Sequence, residues 1–137
     1  MRLRNIFILL FAALTFGCGQ SKHIRQSLDR ASSIMNEQPD SARAILANME
    51  RSALKSRSLR ARHALLYSQA LDKCYVDTDN DSLTSVALDY YKSHGTDHER
   101  ALAYFYNARV KIYGVQPTEE IIENFIAAQH YAENTDD

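Results

Sequence analysis

Arg100-Ala101-Leu102-Ala103-Tyr104-Phe105-Tyr106-Asn107-Ala108-Arg109 is the stretch whose reading decides the fold. Just before it, Thr96-Asp97-His98-Glu99 has capping-box form: a hydroxyl accepts from the first free amides and a glutamate three residues on reaches back. The helix opened there runs to about Tyr113. Gly114 to Pro117 is a turn, Thr118 a cap, and Glu119 and Glu120 suit the positive end of a further helix through Ala132. Ile121, Phe125, Ala128 and Ala132 form one stripe on that last helix, facing its predecessor. Two helices joined by a short turn make an antiparallel hairpin.

The same construction extends toward the N-terminus. From near Lys22, Ile24, Leu28, Ala31 and Met35 make an i, i+4, i+7, i+11 apolar face. Gln38-Pro39-Asp40 ends that helix. Asp40 or Ser41 is expected to cap a second, with Ala42, Ile45, Leu46 and Met49 inward. A third runs from about Ala53 to Tyr75, with Lys55, Ser58, Arg62, Gln69 and Lys73 on one narrow polar strip. Because the rest of its surface is mostly apolar, it is expected to be covered on more than one side. After a polar break at 76–81, Asp81 or Ser82 caps a fourth helix bearing Leu83, Val86, Ala87 and Tyr90, and Gly95 stops it. With almost no alternating β pattern, the fold class expected is all-α: an α-solenoid of three antiparallel hairpins.

With Ile121, Phe125 and Ala128, the 100–109 stretch resembles a degenerate tetratricopeptide repeat (TPR), in which large, small and aromatic residues interlock between two helices. Tyr104 and Ala108 occupy the first-helix positions. Asn107 and Lys111 depart from the leucine and tyrosine of that motif, and the turn is one residue longer. Residues 24–132 are similar to the N-terminal part of a family of TPR lipoproteins and membrane-anchored regulators of Gram-negative anaerobes. The likeness is carried by Gln38-Pro39-Asp40-Ser41-Ala42, by 59–67, by Gln69-Ala70-Leu71-Asp72-Lys73 and by 93–104. Family members are usually longer, with more repeats and sometimes a membrane span leading to a DNA-binding end. The resemblance implies a protein-interaction module; the alternative is a truncated or split sensory front end of such a regulator.

The N-terminus speaks to location. Arg2 and Arg4 precede an apolar run from Ile6 to Phe16, which ends in Gly17-Cys18-Gly19. That run is shorter than the roughly 20 residues a permanent membrane helix needs, and its order is that of an export signal. Leu14-Thr15-Phe16-Gly17-Cys18 resembles a bacterial lipoprotein box, although Thr15 stands where leucine is usual. The division expected is a signal at 1–17, a lipidated tether at 18–21, a helical domain at 22–134 and a tail at 135–137, with lipid on Cys18. Gly19 rather than aspartate after the cysteine favours, by that resemblance, the outer membrane.

Composition narrows the function. The chain carries 16 Lys and Arg against 17 Asp and Glu; without Arg2 and Arg4 the basic count is 14, a formal charge of −3. A weakly acidic domain lacks the field that direct nucleic-acid binding requires, and the basic run Arg51, Lys55, Arg57, Arg60, Arg62 reads as a solvated helix face. With Cys18 acylated, Cys74 is the sole thiol, so no internal disulfide forms; its surroundings favour a buried small hydrophobe. Asp77-x-Asp79-x-Asp81 begins like a calcium loop, but Ser82 and Leu88 replace the glycine and closing glutamate. His94 and His98 are separated by the helix-breaking Gly95-Thr96. No cofactor, metal or catalytic constellation stands out, and the chain is read as a non-enzyme.

Four residues are assigned to partner binding: Arg109, Tyr113, Ile122 and Ile126. At 100° per residue, Arg109 projects opposite Arg100, Asn107 and Lys111, into the sector of Leu102, Phe105, Ile112 and Tyr113. There it either forms an inter-helix ion pair or lines the concave surface of the array. Ile122 and Ile126 form a second apolar edge on the last helix, one that a single hairpin partner does not cover. A protein or peptide partner, or a second copy joined through the C-terminal helix, would dock there.

Overall fold

The computed structural model describes residues 21–78, 80–113 and 118–135, with only the backbone of Tyr113 and Thr118. Among them are six α-helices and no strand: α1 (21–34), α2 (Pro39–Ala47), α3 (Arg57–Lys73), α4 (Ser82–His94), α5 (Asp97–Tyr113) and α6 (Thr118–Ala132). The expected all-α class is observed. No described helix is long and apolar enough to cross a membrane. Cys18 and the signal lie outside the described residues.

The ends of the helices follow from local chemistry. Pro39 opens α2 at a position where a missing N–H costs nothing, and no side chain caps it, so neither Asp40 nor Ser41 has the expected role. A 3₁₀ turn, Arg51–Ala53, delays α3 to Arg57, where the Ser56 hydroxyl accepts from the Leu59 amide at 3.1 Å. Asp81 flanks α4 without a side-chain cap; instead the Asn80 side-chain oxygen accepts from the Ser82 amide at 2.9 Å. The capping box of α5 forms as expected: Glu99 N–H donates to the Thr96 hydroxyl at 3.2 Å, and Thr96 N–H donates to the Glu99 carboxylate at 2.9 Å. Gly95 is set by close approach, since a Cβ there would lie 2.9 Å from the Tyr91 ring and carbonyl.

The end of α3 is unusual. Val76 N–H donates to the Leu71 carbonyl at 2.9 Å and Tyr75 N–H to that of Asp72 at 3.0 Å, the paired bonds of a Schellman turn. The residue in the left-handed position is Tyr75, at φ 55°, where glycine is usual.

Consecutive helices pack antiparallel. Along α5 and α6 the contacts run Tyr104–Tyr131, Phe105–Phe125, Asn107–Asn124 and Lys111–Glu120, numbers rising on one helix as they fall on the other. One core joins Ile24, Leu28, Ala31 and Met35 of α1 to Ala42 and Leu46 of α2 and to Leu59, Leu66 and Ala70 of α3. Another joins Ala61, Ala64 and Leu65 of α3 to Ala87 and Tyr91 of α4 and to Ala103 and Tyr106 of α5. Helix α3 therefore has core on two sides, as its apolar surface predicts. The buried His63 accompanies this: its Nε2 lies 2.9 Å from the Leu46 carbonyl, tying α3 to the end of α2.

Two stripes differ from expectation. On α4 the buried side chains are Thr84, Ala87 and Tyr91, while Val86 is exposed. On α6 they are Asn124 and Ala128, with Ile121 and Phe125 half-buried and Ala132 exposed. Cys74 is also half-buried rather than buried, because it follows the last turn of α3.

Candidate protein-interaction surfaces

Three features could receive a partner: a groove lined by α1, α3, α5 and part of α4, the surroundings of Arg109, and the outer edge of α6. The groove is the largest. Met35 and Asn36 after α1, Arg62, Leu65, Leu66 and Gln69 of α3, and His98, Glu99 and Leu102 of α5 line a cleft of about 400 Å³. A second cleft, of about 250 Å³, continues from it through the shared Arg62, Tyr91 and Glu99 to Arg25, Ser58 and His94. Ser58, Arg62 and Gln69 belong to the polar strip of α3. That strip was legible in the sequence as a pattern, yet its place on the groove floor was not, because the α1 and α5 walls come from distant parts of the chain.

Two ion pairs join α3 to its neighbours, one at the groove and one beside the α3–α4 connection. Arg62 of α3 donates to Asp29 of α1 at 2.7 Å, and Arg109 of α5 donates to Asp72 of α3 through Nε and Nη2 at 3.1 and 2.8 Å. These partners are 33 and 37 residues apart, close to one helix pair each. Around the joints, burial pushes the phenols of Tyr91 and Tyr106 up to about 12, so both are neutral packing groups.

Arg109 thus forms the inter-helix ion pair, the first of its two expected roles. It also borders a small cleft of about 60 Å³ with Leu71, Val76, Leu83, Tyr106 and Val110, at the α3–α4 connection. It does not line the α1–α3–α5 groove. The side chain of Tyr113 lies outside the described residues. Ile122 and Ile126 are 53% and 62% exposed, so the outer edge of α6 is uncovered, as its second stripe predicts.

The sequence reading missed a polar seam. Asn107 and Lys111, which read in sequence as a polar strip with Arg100, are 1% and 7% exposed. Asn107 Nδ2 donates to the Thr84 hydroxyl at 3.1 Å, and its carbonyl accepts from Asn124 Nδ2 at 2.9 Å, linking α4, α5 and α6. Lys111 reaches Glu120 and lies 3.8 Å from Asp81. Polar residues at three- and four-residue spacing look like a wet face, and only the matching Thr84, Asn124 and Glu120 mark this one as buried. Nearby, Arg100 lies 5.5 Å over the Tyr131 ring, which stacks on Tyr104.

The remaining titratable groups give little chemistry. Desolvation raises the Cys74 thiol, with Asp40 adding to it, so a thiolate nucleophile is disfavoured. Burial lowers the His63 imidazole, partly offset by its Leu46 bond. Asp79 lies outside the described residues, so the acidic loop is seen only in part. No three metal-ligating side chains converge among the described residues. The basic run is dispersed: Arg57 reaches the Asp89 carbonyl, Arg60 the Leu54 and Lys55 carbonyls, and Arg62 Asp29. Comparison of the chain with protein-family models, with curated proteins and with solved structures gives no match.

Proposed function

We propose that the mature protein is a lipid-anchored interaction module of the cell envelope, built from TPR-like helix pairs and without catalysis. The observation that carries this reading is a pair of adjoining clefts lined by α1, α3, α4 and α5, which share Arg62, Tyr91 and Glu99 and include Ser58, Arg62 and Gln69 of the α3 polar strip. The groove they form offers the half-buried Leu102 for apolar contact, over the core residues Leu65 and Leu66, and Asn36 and Gln69 as amides able to pair with an extended peptide backbone. The Arg62–Asp29 pair ties α3 to α1 at the groove, and Arg109–Asp72 ties α5 to α3 beside it, which favours a groove formed before binding. The lipid on Cys18 places the module at the outer membrane, with several acyl chains giving the firm attachment that one chain does not.

Filling the groove tests the binding half of this reading. Gln69→Trp combined with Asn36→Trp should abolish retention of an envelope partner by the full chain while leaving the helical signal and melting temperature intact. Retention by the filled variant would contradict it. For the anchor, Cys18→Ser should move the protein from the membrane fraction to the soluble fraction; an unchanged distribution, with no lipid mass on the wild type, would remove the anchor from the account.

A further inference from the structure

Among the described residues, seven large apolar side chains are exposed, and four of them, Phe105, Ile112, Ile122 and Ile126, sit on the last hairpin. Phe105 meets Phe125 of α6 edge-on at 5.9 Å, so its ring joins the apolar surfaces of the two helices. Ile122 and Ile126, one helical turn apart, continue that surface onto the outer side of α6. Single exposed apolar residues are ordinary, but a run of this kind marks a contact surface.

On the α6 side of this ridge the exposed carboxylates set the sign; on the α5 side Arg109, one turn after Phe105, is committed to Asp72. Glu119 and Glu123 lie three residues before Ile122 and Ile126, Glu133 follows seven residues after Ile126, and all three are exposed. Glu119 and Glu123 are held in no ion pair among the described residues. Glu120 is turned inward to Lys111, and the imidazole of His130 is the one basic side chain on α6. A second copy packing α6 against α6 antiparallel would bring the Glu119–Glu123 end of one copy to Glu133 of the other. Like charges across an interface disfavour that arrangement.

We infer that the α5–α6 ridge docks a basic amphipathic helix of a partner protein: an apolar stripe seated on Phe105, Ile122 and Ile126, flanked by Lys or Arg facing Glu119, Glu123 and Glu133. This rests on the reading of the chain as an interaction module and names the partner chemistry at one of its surfaces. It is the helix-in-groove mode of recognition, with the acidic rim setting partner choice.

The test uses the full chain with two synthetic helical peptides matched to the 15 residues of α6. Both carry the same leucine stripe, one with Lys and Arg flanks and the other with Glu flanks; binding is read by fluorescence anisotropy. The basic peptide should bind at least about tenfold more tightly at low salt, a gap that narrows as salt screens the rim. Glu119→Lys with Glu123→Lys should invert the preference, and Ile122→Glu with Ile126→Glu should abolish binding of both peptides. These charge variants lie on exposed positions, and retained helicity and melting temperature establish that each is folded. Equal binding of the two peptides, an unchanged preference in the lysine variant, or concentration-dependent dimerisation through this edge would overturn the inference. If it fails while filling the α1–α3–α5 groove still releases the envelope partner, the module reading survives and the ridge chemistry alone is wrong.

Discussion

Tyr75 closes α3 in a conformation that side chains other than glycine avoid, at a cost of about 1–2 kcal/mol. Tyr75 is 93% exposed, so little packing offsets that cost. Tyr75→Gly keeps the Schellman bonds and should raise stability by about 0.5–1 kcal/mol, after the extra unfolded-state freedom of glycine is subtracted. Urea unfolding checks this, and a loss of stability would show that the ring has a contact role. His63 gives a pH signature. Folding lowers its pKa from 6.5, so as pH falls through that value the unfolded chain takes up the proton first and stability declines until the folded-state pKa is passed. His63→Gln, which keeps a donor for the Leu46 carbonyl but does not titrate, should flatten the melting-temperature curve between neutral and mildly acid pH. Parallel curves for the two proteins would contradict this.

Among the elements, α1 was the most legible: all four residues of its periodic stripe are buried, because burial there is purely apolar. The α5 capping box was equally legible, since a hydroxyl and a carboxylate three apart carry their own geometry. The start of α3 was not, because the 3₁₀ turn at Arg51–Ala53 continues the composition of the helix behind it. On α6 periodicity placed Ile121, Phe125 and Ala128 inward but missed Asn124, and on α5 it read Asn107 and Lys111 as a polar strip, because it ranks residues by polarity and is blind to partners on other helices. The groove was only partly legible, as a strip on α3 with no visible walls. The Thr84–Asn107–Asn124 relay supplies a quantitative check. Asn107→Leu keeps the branched side-chain shape but strands the Asn124 amide, and should cost about 1–3 kcal/mol. Adding Asn124→Leu should restore part of that loss, because apolar replacement of both partners removes the unmet donor. Equal stability of the single variant and the wild type would show that the relay contributes nothing.

Across the whole molecule, two ion pairs link α1, α3 and α5. Asp29–Arg62 and Asp72–Arg109 each join a first helix to the next. Asp29–Arg62 is substantially exposed and contributes little to global stability, whereas Asp72–Arg109 is half-buried and has two N–H donors on one carboxylate oxygen. A partner in the groove would touch three sequence-distant segments at once. The groove thus predicts a spatial footprint, and site-specific photo-crosslinking in cells reads it most directly. With a photoreactive residue at Asn36 or Gln69 in the groove, or at Asp40 on α2, whose side chain is 84% exposed, the account predicts one discrete adduct from the two groove positions and none from Asp40. No adduct at either groove position, or the same adduct from all three, would contradict it.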